Sequence, residues 1–166
     1  YKRQDAVFAW SRMFGRTDNA SVRIQTSQRY VALANPTWRS WPIWIDPNAT
    51  YEASVWTYSP DGGVGHIPAI QVYAADLTFL GTIGADGPSG IADPPGVWVQ
   101  KTFTFRLADI PCCTSASHVY FNVVQDIEDY YLTGTPTTVF FDDAVLRTIT
   151  PVVGPNLLPQ PSFDFP

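Results

Sequence analysis

Charged residues are scarce in this chain, and their scarcity excludes several classes of protein. Of 166 residues only 15% are charged, and the formal net charge of −5 is accompanied by no run of lysine or arginine. Without such a run, a chain has no basic segment that could bind along a phosphate backbone or an anionic membrane surface. No segment approaches the roughly 18 continuous apolar residues that a membrane span requires. We therefore expect neither nucleic acid as a partner nor a membrane span.

Catalytic signatures are missing as well. The chain has no Gly-x-Ser-x-Gly turn, no glycine loop for phosphate and, with two histidines, no histidine-rich metal motif. Asp126, Glu128 and Asp129 bring three carboxylates together, and glycoside hydrolases use two that lie about 5 to 10 Å apart. Three acids in a predicted loop are more often solvated than catalytic. We therefore do not expect an enzyme.

Cysteine is limited to Cys112 and Cys113, which are adjacent. Their Cα atoms lie only about 3.8 Å apart across a trans peptide, so a disulfide between them is strained. Three states stay open at this point: two free thiols, a strained bridge between the neighbours, and a contact with another chain.

Turn residues and aromatic residues are plentiful instead. The chain has 11 glycines and 15 prolines, and 14% of its residues are aromatic, which is typical of many short strands joined by turns. No segment has a helical period, and alternation of apolar and polar residues predicts eight strands. These are residues 20–25, 40–46, 50–59, 69–75, 79–83, 97–107, 117–126 and 137–148.

Strands of this number and spacing predict an all-β fold, an antiparallel two-sheet β-sandwich of the jelly-roll type. We assign residues 1–149 to this sandwich and the proline-punctuated residues 150–155 to a linker. Residues 156–166, NLLPQPSFDFP, read as one further extended strand that stands apart from the sandwich.

Three stretches carry a resemblance to a known family: IDPNATYEASVW, GVWVQKTFTF and TTVFFDDAVL. Together they resemble the jelly-roll carbohydrate-binding modules attached to secreted glycan-degrading enzymes, over roughly residues 20–149. The resemblance implies an extracellular protein, secreted or at the cell surface. It also implies a structural Ca²⁺ ion, held by Asp142 or Asp143 together with Asp164, the acidic residue of the displaced first-strand motif.

The order of the motifs departs from the family pattern. Members commonly begin with an Asn-Leu-Leu run that leads to a Phe-acidic pair and then to a Trp. Here the Trp is Trp10, but the matching run is NLLPQPSFDFP at the other end of the chain. Because the chain also opens at Tyr1 without Met, we expect a processed or excised segment of a longer precursor.

Alternation also predicts which side chains share a face. Aromatic rings stack on the C–H groups of a pyranose, and amides and charged groups bond its hydroxyls. On this basis we expect one glycan-binding sheet face that includes Glu52, Trp56, Tyr58, Gln71, Tyr73, Trp98, Arg106, Tyr120 and Asn122. Packing in the core or against another subunit is the competing role for each of these rings.

Two sequons, at Asn19 and Asn48, predict N-glycosylated surface loops in a host that glycosylates secreted proteins.

Two functions fit these patterns. The first is a structural subunit that polymerises head-to-tail: residues 156–166 of one copy would fill the first-strand position of the next, giving a filament. Its anchors would be Asn156, Leu157, Leu158, Phe163 and Phe165. The second is a carbohydrate-binding module cut from a tandem array, in which the same residues begin the next module. We favour the subunit, because a strand is missing at the front and one is spare at the back.

Overall fold

A computed structural model describes residues 6–26, 37–62, 66–84, 93–125 and 138–149. Within these ranges the backbone forms ten strands. They are β1 (Ala6–Ser11), β2 (Ser21–Thr26), β3 (Thr37–Arg39), β4 (Ile43–Trp44), β5 (Tyr51–Tyr58), β6 (His66–Tyr73), β7 (Phe79–Gly84), β8 (Trp98–Phe105), β9 (His118–Gln125) and β10 (Thr138–Thr148). One 3₁₀ helix, Leu107–Asp109, follows β8. None of the helical structure in these ranges is long or apolar enough to cross a bilayer.

The strands form two antiparallel sheets. Sheet A has the order β1-β2-β10-β5-β8, and sheet B has the order β3-β9-β6-β7, with β4 also paired to β9. The predicted all-β, two-sheet sandwich is thereby confirmed. The predicted linker 150–155 and the donor strand 156–166 lie outside the described residues, so the division of the chain at residue 149 stays a prediction.

The core lies between the sheets and follows the period of two that the sequence displays. In β5, Tyr51, Ala53 and Val55 are buried. On β9 of the other sheet, Val119 and Phe121 are buried in the same apolar cluster. Each strand therefore has a core-facing row and an outer row, and the outer rows carry the candidate binding residues.

The structure shortens one predicted strand and adds another before it. Of residues 40–46 only Ile43–Trp44 form a strand, β4, whereas β3 ends at Arg39 and was not predicted. Pro42 has no N–H to donate to a ladder, which favours a break at this point. Ser40 holds the junction to β9, since its N–H donates to Phe121 O at 2.8 Å and its Oγ accepts the Phe121 N–H at 3.0 Å. The prediction also missed β1.

Cys112 and Cys113 are joined to each other in a vicinal disulfide. The free-thiol alternative is therefore wrong for this structure. Cys113 is fully buried, and a Cβ added at Gly81 would lie 3.1 Å from Cys112 Sγ. The bridge thus packs closely against β7 at a position where a larger residue would have to displace it.

Candidate functional site

The outer row of sheet B gathers aromatic and amide side chains on one surface. Ile70 and Val72 of β6 are buried in the core. The residues that alternate with the core residues of β6 and β9 point the other way, and they are Gln71, Tyr73, His118, Tyr120 and Asn122. Trp44, Phe79 and Arg39 join them from β4, β7 and β3. We call this surface, made of these eight residues, the ring face.

Four rings of the ring face lie in a row that crosses the sheet. Trp44 is opposite His118, which is opposite Tyr73, which is opposite Phe79. Successive ring centroids are 5.1, 5.6 and 5.4 Å apart. Strands are spaced about 4.8 Å apart, so four of them place the outer members of the row about 14 Å apart. That length suits an oligosaccharide better than a single sugar.

Exposure differs along this row. Trp44 is 69% exposed and Phe79 is 53% exposed, whereas His118 is only 1% exposed. The His118 ring stacks on Tyr73 at an interplanar angle of 15°, and its Nδ1 lies 3.0 Å from Ser117 Oγ. His118 therefore supports the neighbouring rings, and the two outer rings are the ones that a ligand can reach.

Polar groups lie directly beside the rings. Tyr120 packs edge-on against Tyr73 at 5.3 Å, and the guanidinium of Arg39 lies 4.9 Å from the centre of the Tyr120 ring. Arg39 donates to Gln71 Oε1 at 2.5 Å and to Asn122 Oδ1 at 3.4 Å. The ring face thus combines stacking surfaces with a fixed cation and two amides.

The other predicted glycan-binding residues lie on the opposite sheet. Glu52, Trp56 and Tyr58 are in the outer row of β5, and Trp98 is opposite Tyr58 on β8. Arg106 follows β8, where it donates to Asn48 O and pairs with Asp109. The structure therefore does not bring the nine predicted residues together: Gln71, Tyr73, Tyr120 and Asn122 share the ring face, and the others belong to the sheet A side.

A segment of the chain's own residues packs over the sheet A rings. We call residues 12–20 the covering segment. Its Phe14 ring lies 4.8 Å from the Tyr58 ring, 5.7 Å from the Trp98 ring and 4.8 Å from the Phe140 ring. The Arg16 guanidinium lies 3.8 Å from the centre of the Trp56 ring. These rings are therefore engaged within the protein, which favours the packing role that competed with sugar binding.

Asp142 and Asp143, the predicted calcium ligands, lie where β10 loses register with β5. Asp143 has a positive φ of 48°, which Asp tolerates better than most residues. Asp142 is completely buried, and its carboxylate accepts the Arg16 N–H at 2.7 Å and the Asp143 N–H at 2.8 Å. Burial raises the pKa of Asp142 to about 6, against the lowering effect of these hydrogen bonds.

The described residues do not by themselves fit a calcium site. The Arg16 guanidinium donates to Asp143 Oδ2 at 2.6 Å, and the Thr17 hydroxyl donates to Asp143 Oδ1 at 3.0 Å. A cationic side chain thus already lies beside Asp143. Within the described ranges, no group of three or more His, Cys, Asp or Glu side chains is placed to hold a metal. The third expected ligand, Asp164, lies outside those ranges, so calcium stays a prediction.

The remaining predicted positions divide between exposed and undescribed residues. Asn19 and Asn48 are both exposed, as glycosylation requires, and their modification stays a prediction. The anchors of the proposed donor strand and the carboxylate cluster lie outside the described residues: Asn156, Leu157, Leu158, Phe163, Phe165, Asp126, Glu128 and Asp129.

Four residues of the ring face are absent from the predicted glycan-binding set: His118, Trp44, Phe79 and Arg39. Trp44 was placed in the predicted strand 40–46, but no contact with another ring was predicted for it. The local feature that could have indicated it is an aromatic residue between Ile43 and Ile45. Phe79 begins a predicted strand and has no aromatic neighbour in sequence. Arg39 had no signal, because its partners are 32 and 83 residues away along the chain.

Neither a protein-family model nor a curated protein sequence matches this chain. Solved structures do. The enzymatically active domain of tailspike protein 4 of bacteriophage CBA120 aligns with 86% of the chain at 11% identity and a TM-score of 0.57. The chain spans only 18% of that protein's length.

Carbohydrate-binding modules are similar over most of their own length as well. A family 4 module aligns with 88% of this chain and 81% of its own, at 14% identity and a TM-score of 0.52. The xylan-binding domain CBM22-2 of Xyn10C from Paenibacillus barcinonensis aligns with 87% of this chain and 88% of its own, at 14% identity and a TM-score of 0.54. The resemblance to jelly-roll carbohydrate-binding modules is thereby confirmed for the fold.

Proposed function

We propose that this protein is a non-enzymatic carbohydrate-binding module that holds an oligosaccharide on the ring face of sheet B. The observation that carries the proposal is the row of four rings, with Trp44 and Phe79 exposed at its ends. Exposed rings stack on the apolar faces of pyranoses, and the adjacent amide of Gln71 can hydrogen-bond hydroxyls. Asn122, which is only 1% exposed, supports the site by accepting a hydrogen bond from Arg39. The fold shared with carbohydrate-binding modules supports the same function.

An extracellular location belongs to this proposal. The disulfide between Cys112 and Cys113 is of a kind that persists in oxidising compartments and is rare in the cytosol. Both predicted glycosylation sites, Asn19 and Asn48, are exposed and accessible to a modifying enzyme. These features support a protein that meets glycans outside the cell.

The test is a glycan array followed by calorimetric titration of the best ligand. Removing one stacked ring costs about 0.5–1.5 kcal/mol beyond area burial, so Trp44→Ala and Phe79→Ala are each expected to weaken binding by roughly 3- to 10-fold or more. Trp56→Ala is the matched control, because Trp56 lies on the opposite sheet beneath Arg16. It is expected to lower the melting temperature and to leave glycan affinity unchanged.

Two results would contradict this function. One is a wild-type protein, verified as folded by circular dichroism, that binds no glycan on a broad array. The other is glycan binding that Trp56→Ala abolishes and Trp44→Ala leaves intact, which would move the site to sheet A.

Head-to-tail assembly is a second candidate function, and the edges of sheet A favour it. Among the described strands, β1 and β8 lie at the two edges of that sheet and each pairs on one side only. An edge strand offers unpaired N–H and C=O groups to an added strand. Residues 156–166 of a second copy would be that strand, and Asp164 would then join a calcium site beside Asp142 or Asp143.

Deletion of residues 156–166 tests the assembly. The full chain is expected to form polymers visible by electron microscopy and light scattering, and the truncated chain to stay monomeric. A synthetic peptide of residues 156–166, added to the truncated chain, is expected to bind it and to raise its melting temperature. A full chain that remains monomeric at high concentration, with or without Ca²⁺, would rule out strand donation between copies.

A further inference from the structure

Arg39 differs in its partners from four other cations among the described residues. Arg16, Lys101, Arg106 and Arg147 each form an ion pair with a carboxylate. Arg39 instead donates to two neutral amide oxygens, those of Gln71 and Asn122. Its positive charge is therefore not balanced by a carboxylate within the described part of the chain.

The position of Arg39 is fixed by the ring face. Its guanidinium lies over the Tyr120 ring, and Tyr120 contacts Tyr73 in the row of rings. Asn122 is in turn held, because its Nδ2 donates to Tyr120 O at 3.0 Å. A guanidinium that is oriented by two amides and a ring loses little freedom when it binds a ligand.

Hydrogen-bonding capacity remains on this guanidinium. A guanidinium has five N–H donors, and Arg39 uses two of them on the amides. The residue is exposed, so the other N–H groups are accessible to a ligand. Two parallel N–H donors match the geometry of a carboxylate or of a sulfate ester.

The rest of the ring face offers no competing anion. Its other members are Trp44, Gln71, Tyr73, Phe79, His118, Tyr120 and Asn122, none of which is acidic. The net charge of −5 for the whole chain acts over longer distances. At physiological ionic strength such interactions are screened beyond about 8 Å, so the charge of the ring face itself determines whether an anionic ligand is attracted.

We infer that the glycan bound on the ring face is acidic, and that its carboxylate or sulfate group lies on Arg39 beside a sugar stacked on the ring row. This inference rests on the proposed glycan-binding function. It narrows the ligand class from oligosaccharides in general to those with an anionic substituent.

The experiment uses matched oligosaccharides that share one backbone and carry at C6 a hydroxymethyl group, a carboxylate or a sulfate ester. Charge-assisted hydrogen bonds contribute about 1.5–3 kcal/mol, so the wild-type protein is expected to bind an anionic member roughly 10- to 100-fold more tightly than the neutral one. A preference for the carboxylate identifies a uronic-acid glycan, and a preference for the sulfate identifies a sulfated one.

Variants connect this preference to Arg39. Arg39→Gln is expected to remove the preference, with a much smaller loss of affinity for the neutral member because Arg39 also orients the amide of Gln71. Arg39→Lys is expected to retain only a part of the preference, and that part weakens with salt. Arg12→Gln makes the same change of charge in the covering segment and is expected to keep the full preference. Circular dichroism melts of each variant check that the fold is intact.

The outcomes distinguish a failure of this inference from a failure of the proposed glycan-binding function. Equal affinity for the neutral and anionic members, or a preference that survives in Arg39→Gln, overturns the inference and leaves glycan binding in place, provided that Trp44→Ala still weakens binding. If no member of the series and no other glycan is bound, both the inference and the proposed function are wrong.

Discussion

Asp142 makes the stability of this protein depend on pH in an unusual direction. Its carboxyl is completely buried, and burial raises its pKa to about 6. In the unfolded chain an Asp has a pKa of about 3.9. Between these two values the folded state holds a proton that the unfolded state has lost. The contribution of Asp142 to stability is therefore full below pH 4, falls as the pH rises, and is lost above pH 6.

The size of this effect follows from the two pKa values. A difference of about 2 units corresponds to roughly 3 kcal/mol, at 1.36 kcal/mol per unit. For a domain of this size, 1 kcal/mol shifts the melting temperature by about 2–4 °C, so the expected change is roughly 6–12 °C.

The assay is urea unfolding of the wild type and of Asp142→Asn at pH values from 4 to 7.5, with a chelator present. Other carboxyl groups titrate in this range too, and the difference between the two proteins isolates Asp142. Asn does not titrate, and it replaces one acceptor by a donor that faces one of the two backbone N–H groups bound by Asp142, so the variant is less stable by a constant amount. The stability advantage of the wild type is expected to shrink by about 3 kcal/mol between pH 4 and pH 7.

A difference that stays constant, or that grows with pH, would refute the reasoning. Repeating the series with millimolar Ca²⁺ tests the predicted metal at the same time. A bound cation favours the ionised carboxylate, so a calcium site involving Asp142 would reverse the slope.

Three further changes test the packing around sheet A, each measured by thermal or urea denaturation. Lys101→Met removes the ion pair of Asp93, whose side chain is 1% exposed, and is expected to lower the free energy of unfolding by about 3–5 kcal/mol. Asp109→Ala removes an exposed ion pair and is the control, with no measurable effect expected. Phe14→Ala removes three ring contacts and is expected to cost roughly 2–3 kcal/mol, less than for a fully buried ring. Gly15→Ala would place a Cβ 2.3 Å from a backbone oxygen and is expected to displace the covering segment, with loss of the Phe14 contacts; a variant as stable as the parent would show that this segment is not held as described.

Alternation along each strand made the fold class and the core predictable. Tyr51, Ala53 and Val55 read as one row in the sequence, and they are buried together. Strand 117–126 was placed within one residue of β9, His118–Gln125. A period of two is a local property, so it survives in any sheet to which the strand belongs.

Alternation could not predict in the same way which residues form the site. Alternation says that Trp56 and Tyr73 both point outward from their strands, but it does not say that the two strands lie in different sheets. That assignment depends on pairing between strands far apart in sequence. Arg16 illustrates the limit, because its partner Asp143 is 127 residues away. The local sequence does not distinguish a loop residue whose side chain packs over an aromatic ring from a strand residue whose own ring is exposed.

The covering segment also bears on the valency that the proposed glycan binding would have. With Phe14 and Arg16 packed over the rings of sheet A, a single ring-lined surface remains on the described sandwich. A domain with one glycan site can coat a polysaccharide but cannot cross-link two polysaccharide chains. Joining two such domains makes the second binding event intramolecular and can raise avidity by about 10²–10⁴-fold. Cross-linking of glycans would thus be a property of linked copies, and the expected stoichiometry for one isolated domain is one oligosaccharide.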